Sequence, residues 1–164
     1  MKTIRFIVLF AVALGHAAIA HADFRAGIAV RVVTPEPLLP VSGGVGPSNP
    51  VTKKHGDLTV RAMVLENGGT RVAFVSTDFL GFPAALGDRV RRQVKAIPAA
   101  HILIGATHTH SAPDCYGFPN GRGGTDADLE YLNFVCNKAA EAINEAVAGL
   151  QPASLRIATG KANG

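Results

Sequence analysis

The sequence predicts an α/β fold, in which a mixed β-sheet contains a parallel β-α-β unit and carries helices packed on it. Apolar and polar residues alternate over 58–64, as in a half-buried strand. The turn sequence Asn-Gly-Gly at 67–69 separates this run from the apolar run 72–75, so the two predict a hairpin. An amphipathic helix over 86–97 then leads into a strand over 101–106. Strand, helix and strand in this order favour a parallel, right-handed crossover.

The remaining N-terminal half adds one strand and a long loop. Residues 28–33 are rich in β-branched side chains and end before a run containing two prolines, which predicts a strand. Residues 37–50 contain three glycines and four prolines and are predicted to be irregular.

A second long loop is predicted over 113–125, where four glycines and two prolines follow the strand at 101–106. Such a loop can line a substrate entrance or simply connect two elements.

A long helix is predicted near the C-terminus. Thr125 or Asp126 can cap its start, and it runs to about Leu150. Its buried stripe repeats at helical spacing and comprises Leu132, Val135, Cys136, Ala139, Ile143, Val147 and Leu150. Residues 154–158 are predicted to form a last strand.

The N-terminus has the pattern of a secretory signal peptide. Lys2 and Arg5 give a positive start, and residues 6–20 are almost wholly apolar. Ala-His-Ala at 20–22 is a small-x-small cleavage site. We therefore expect residues 1–22 to be a signal peptide and the mature protein to be exported, to a periplasm or the medium. An uncleaved anchor is the alternative.

The composition is that of one globular domain, with 48% hydrophobic and 17% charged residues in a chain of 164. The net charge of +4 is mild, and no basic run is interleaved with aromatics, which argues against a nucleic-acid partner. Two cysteines are present, Cys115 and Cys136. Export would allow a disulfide between them, but two unpaired thiols fit the sequence equally well.

Two histidines stand at the end of a predicted strand. The apolar run 102–106 leads to His108 and His110, and Pro113 ends regular structure soon afterwards. On an extended backbone, side chains two residues apart point the same way, so both imidazoles should face one point. Neutral imidazole is a common zinc ligand, which predicts part of a zinc site here. A polar loop that happens to contain two histidines is the alternative.

Asp78 becomes a candidate site residue because of the predicted topology. It follows the strand at 72–75, and the carboxyl ends of parallel strands lie at one edge of a sheet, where ligands bind in open α/β folds. It could orient an imidazole through the second ring nitrogen, or bind metal itself. A turn former or a carboxylate at a helix N-terminus is the alternative.

The sequence offers few further metal ligands, although zinc normally needs three or four. His55 lies in a loop-like segment and is expected on the surface. His101 precedes His108 by seven residues, which is roughly 20 Å along a strand. Three acidic residues of the last helix are expected on its solvated side: Glu130, Glu141 and Glu145.

Four segments together resemble the N-terminal part of the neutral/alkaline non-lysosomal ceramidases. They are residues 24–35, residues 58–65, the Val-Ser-Thr-Asp at 75–78 and the Thr-His-Thr-His-Ser-Ala-Pro at 107–113. The last is the most specific. Their order and spacing agree over nearly all of residues 23–164, which the resemblance identifies as the N-terminal portion of a ceramidase-like catalytic domain.

The resemblance implies a zinc-dependent amide hydrolase. Members of the family split the N-acyl amide of ceramide into sphingosine and a fatty acid, so the implied substrate is ceramide or a related lipid amide, with transient contact at a membrane surface. His108 matches a zinc ligand, His110 belongs to the catalytic neighbourhood, and Asp78 is expected to support them. The family's other ligands (a His, a Glu and a Tyr) and its serine come from later segments, so the resemblance implies a partial, inactive site here.

Two other classes compete with this interpretation. Metallo-β-lactamase-like hydrolases also place His-x-His after a strand, but their motif continues with Asp and His where this chain has Ala112 and Pro113. An exported metal-binding or interaction domain without catalysis is the second alternative. The shortage of ligands favours that alternative for this chain taken alone.

Overall fold

The computed structural model describes residues 24–161, so the predicted signal peptide at 1–22 lies outside the described residues. Five strands and two helices follow one another along this part of the chain. They are β1 (Arg25–Val32), β2 (Thr59–Asn67), β3 (Thr70–Thr77), α1 (Ala84–Gln93), β4 (Ile102–Ala106), α2 (Leu129–Ala148) and β5 (Gln151–Pro152).

The strands form a mixed sheet in the order β4-β3-β2-β1-β5, which confirms the predicted α/β class. β2 and β3 form the expected antiparallel hairpin, and both Gly68 and Gly69 adopt positive φ in its turn. β3 and β4 are parallel, with Thr77 opposite Ala106, and α1 lies between them in the chain. The predicted parallel β-α-β unit is therefore confirmed.

Both helices pack on one face of the sheet, because α2 covers β1 and β2 while α1 packs against α2. The alternation in β2 directs its buried side chains toward the helices: Val60, Ala62 and Val64. At Gly27 the helix comes so close that an added Cβ would lie 1.9 Å from the carbonyl oxygen of Ala146. Only glycine fits there.

The opposite face of the sheet is apolar, and no element within residues 24–161 covers it. Pairing places Ile28, Met63, Phe74 and Leu103 in one row across four strands. Each of the four side chains is at least 40% exposed. Within residues 24–161, no helix is both long enough and apolar enough to cross a bilayer.

Both helices differ from the predicted boundaries. The first ends at Gln93, and Val94 is extended, although Val94 and Ile97 are still buried as the stripe requires. The second begins later than expected, because Asp128 is its cap and accepts a hydrogen bond from the Tyr131 amide at 2.9 Å. Asp126 instead accepts one from the Ser48 amide at 2.8 Å, which anchors the 37–50 loop.

The predicted last strand over 154–158 is wrong. β5 ends at Pro152, and residues 153–161 are exposed and have no regular structure. β5 pairs only with Arg25 and Ala26, at the beginning of β1. The Ala153 amide still donates to the Phe24 carbonyl at 3.0 Å. In the same antiparallel register, partners for 154–158 would precede Phe24 and fall outside the described residues.

Candidate metal and catalytic site

Residues 107–113, which we call the histidine segment, and Asp78 meet at one edge of the sheet. The Thr107 amide continues the β3–β4 ladder with a 3.0 Å hydrogen bond to the Thr77 carbonyl. Asp78 directly follows β3, and His108 follows Thr107. The predicted strand-end geometry is therefore observed.

His108 does not continue the strand. Its φ of 63° lies in the left-handed region, which costs a residue with a Cβ about 1 kcal/mol or more. The expectation of an extended backbone through His108 is wrong for this reason. The side chain is held by a hydrogen bond of 2.7 Å between its Nδ1 and the carbonyl oxygen of Leu80, in the loop between β3 and α1. Strained non-glycine residues of this kind cluster at functional sites.

His110 nevertheless converges with His108. The two ring centroids lie 5.1 Å apart with an interplanar angle of 81°. His110 is fixed by a second loop, since its Nδ1 lies 2.8 Å from the carbonyl oxygen of Gly43. The convergence that the sequence predicted thus comes from two loop contacts and a left-handed residue.

The two carbonyl contacts determine which nitrogen of each ring carries the proton. A carbonyl oxygen can only accept, so each Nδ1 carries the proton and donates it. In the neutral imidazoles, Nε2 of His108 and Nε2 of His110 then hold the lone pairs. Both residues are exposed at this edge of the sheet. A ligating histidine typically donates its other N–H in this way, and the donor set therefore suits a transition metal such as zinc.

The described part of the chain brings together only these two imidazoles as candidate metal-binding or catalytic groups. Among residues 24–161, no group of three or more His, Cys, Asp and Glu side chains could hold a metal ion. His101 lies at the other end of β4, where its Nδ1 contacts the Arg71 carbonyl at 3.1 Å. His55 is exposed in its loop, as predicted.

Asp78 supports the backbone around the site and contacts neither imidazole. Its carboxylate accepts hydrogen bonds from the Thr59 amide and hydroxyl at 2.9 and 2.8 Å. Arg61 makes a bidentate ion pair with it, and the Thr107 hydroxyl lies 3.3 Å away. Burial favours the neutral carboxyl, but the Thr59 and Arg61 hydrogen bonds outweigh burial and lower the pKa of Asp78.

A second supporting carboxylate is Asp114, which the sequence reasoning missed. It is buried and accepts hydrogen bonds from three successive amides, those of Tyr116, Gly117 and Phe118. An Asp three residues before a Gly, directly after the histidine segment, was the available signal. This turn fixes the start of the 113–125 loop beside the histidines.

The two cysteines are buried, unpaired thiols. Cys115 donates to the Gly81 carbonyl at 3.0 Å, which ties the 113–125 loop to the segment that holds His108. Cys136 donates to the Leu86 carbonyl at 3.7 Å, between the helices. Burial raises the pKa of the Cys115 thiol to about 11 and raises that of Cys136 as well, so neither thiol is activated.

The fold is similar to that of solved ceramidases. The neutral ceramidase from Pseudomonas aeruginosa matches with a TM-score of 0.58 and 22% identity over 80% of this chain. A ceramidase complexed with C2 matches with a TM-score of 0.60, again at 22% identity over 80% of this chain. This chain covers 22% of the length of each. No protein-family model matches the sequence, and no curated protein matches it. The resemblance to neutral ceramidases is confirmed at the level of the fold.

Proposed function

We propose that this chain is part of a zinc-dependent amide hydrolase acting on ceramide or a related N-acyl lipid. The observation that carries the proposal is the histidine pair. His108 and His110 converge with both Nδ1 atoms bonded to backbone carbonyls and both Nε2 atoms free. The fold shared with neutral ceramidases supports the choice of a lipid amide as substrate.

The reaction adds water across the N-acyl amide and releases a long-chain amine and a fatty acid. Zinc, when bound, polarises the carbonyl and lowers the pKa of water. His108 would hold it through Nε2. The Leu80 contact fixes both the tautomer and the direction of that ring.

His110 is proposed to move a proton or to stabilise the developing oxyanion. Its Nδ1 donates to Gly43, so Nε2 is the atom that faces the reaction. A proton taken up there makes both ring nitrogens donors, and the Gly43 carbonyl then stabilises the imidazolium. The partner carbonyl therefore suits a group that gains and returns a proton during turnover.

The site is proposed to be completed by ligands outside residues 24–161. The described residues supply two imidazoles and no third group, whereas a catalytic zinc site usually has three protein ligands and an open position. We expect residues 24–161 alone to bind zinc weakly and to lack hydrolase activity.

A non-catalytic interaction domain is the second candidate. The observation that favours it is the apolar face of the sheet that no element of residues 24–161 covers, where Ile28 is 75% exposed and Leu103 is 63% exposed. The two candidates differ in one experiment on the complete protein, which measures zinc content together with hydrolysis of an N-acyl lipid. Zinc with hydrolysis supports the enzyme, and a folded protein without hydrolysis supports the interaction domain.

A further inference from the structure

A pocket of about 300 Å³ lies directly beside the histidine segment. Three stretches of chain form it: the residues after β1, the loop before β2, and the residues after His110. Its lining combines aliphatic side chains, three basic side chains, and Ser111 and Pro113 from beside the histidines. The volume is at the lower end of the range for small-molecule sites.

The floor of this pocket is apolar and only partly covered by protein. Five aliphatic side chains line it and are half-buried: Leu38, Leu39, Val41, Val51 and Leu58. They are covered enough to be held in place and open enough to contact a ligand. A hydrocarbon chain that covers them removes apolar surface from water, which is favourable.

The mouth of the pocket is basic. Lys53, Lys54 and His55 line it side by side, and none of the lining side chains is acidic. Lys54 is already paired, with Asp57 at 2.6 Å and Glu36 at 3.9 Å. Lys53 forms no ion pair with any residue in 24–161. Its ammonium group is therefore available to an anion.

The pocket shares its wall with the candidate catalytic site. Ser111 and Pro113 line the pocket, and the intervening Ala112 carbonyl accepts a hydrogen bond from the Ser42 amide at 2.7 Å. The neighbouring Gly43 carbonyl holds His110. A ligand in the pocket therefore lies against the backbone that positions His110.

We propose that this pocket binds a fatty carboxylate, with its head group at Lys53 and His55 and its hydrocarbon chain on the aliphatic floor. Charge complementarity at the mouth selects an anionic head, and the floor selects an apolar tail. The choice of a fatty carboxylate among anionic amphiphiles rests on the proposed function, because that reaction releases one. The pocket would then hold the acid product beside the site that forms it.

Binding of dodecanoate, below its micellar concentration, to the full chain tests this inference by calorimetry. Dodecanol is the uncharged control. Lys53→Gln removes the free ammonium group, and Lys95→Gln removes the same charge two residues after α1 ends, outside the pocket. Val51→Asp places a negative charge on the floor, with circular dichroism to show that the variant is folded.

We expect dodecanoate to bind more tightly than dodecanol. Lys53→Gln should weaken dodecanoate binding roughly two- to fivefold, as for an exposed ion pair. Lys95→Gln should leave binding unchanged, and folded Val51→Asp should weaken it at least tenfold. Absence of binding, equal binding of dodecanol, or equal effects of the two lysine variants would overturn the proposal.

The result separates this inference from the proposed function. Dodecanoate binding in a complete protein that hydrolyses no N-acyl lipid would leave the pocket standing and reject the hydrolase. Hydrolysis of an N-acyl lipid without dodecanoate binding would support the hydrolase and reject the fatty-carboxylate pocket.

Discussion

The ring centroids of His108 and His110 lie 5.1 Å apart at an interplanar angle of 81°. The two rings come together although His108 has a left-handed backbone and does not continue the strand. On an extended strand the two side chains would project side by side from the same face of the sheet. Here the backbone turns at His108, and each ring is fixed by the carbonyl of a different loop. The pair is therefore a property of the folded domain.

Glycine at position 108 should separate backbone strain from ligand loss. His108→Gly and His108→Ala both remove the imidazole, but only glycine adopts a φ of 63° without steric cost. We expect His108→Gly to be about 1 kcal/mol more stable to urea than His108→Ala. Thr109 has no positive φ, so Thr109→Gly should be less stable than Thr109→Ala. A glycine variant that is less stable than the alanine variant at position 108 as well as at position 109 would contradict the left-handed conformation of His108.

Asp78 should make stability depend on pH in the acid range. Its pKa is lowered in the folded state, so it stabilises the fold above its unfolded value of 3.8, and that stabilisation is lost as the pH falls through the lower folded value. Asp78→Asn should cost roughly 1–3 kcal/mol at neutral pH, as for hydrogen bonds to a charged group. It should also flatten the loss of stability below about pH 4. Urea unfolding at several pH values measures both effects.

The control for Asp78 is Asp88, an exposed carboxylate of α1 paired with Arg91. Asp88→Asn should change the free energy of unfolding by less than about 1 kcal/mol. An equal effect of the two substitutions would mean that the Asp78 network contributes nothing beyond a surface ion pair.

The cysteines are expected to remain thiols even after export. Cys115 and Cys136 are buried, and burial raises both pKa values, so neither should react with a thiol reagent in the native protein. Both should react once the protein is unfolded in guanidinium. A mass two daltons lower before reduction than after it would reveal a disulfide and contradict this structure.

Export remains a prediction from the sequence alone. Lys2, Arg5, the apolar run 6–20 and Ala-His-Ala at 20–22 predict cleavage after Ala22. N-terminal mass spectrometry of protein from the periplasm or medium should find Asp23 as the first residue. A mature protein that begins at Met1 would reject the cleavage.

Much of the fold could be predicted because its signals are local. Alternation along β2 and the two glycines at 68 and 69 specify a half-buried hairpin within a few residues of sequence. The parallel placement of β4 beside β3 followed from the amphipathic helix between them. Asp78 and His108 thereby came to the same edge.

The details of the site could not be predicted, because they depend on loops distant in sequence. Every residue has a carbonyl, so nothing marks Leu80 or Gly43 as the partner of a histidine. Asp126 and Asp128 are equally suitable helix caps by residue type. Asp126 instead accepts a hydrogen bond from the distant Ser48 amide, and Asp128 caps the helix. The strand over 154–158 failed because its apolar alternation has no partner among the described residues.

The zinc content of the complete protein carrying His108→Ala, measured together with hydrolysis of an N-acyl lipid, tests the central claim most directly. The matched control is His101→Ala, since His101 lies at the opposite end of β4. We expect zinc and activity to be lost together in His108→Ala and retained in His101→Ala. His110→Ala should keep more of the zinc than of the rate. Full zinc retention in His108→Ala, or hydrolysis by residues 24–161 alone, would contradict the assignment.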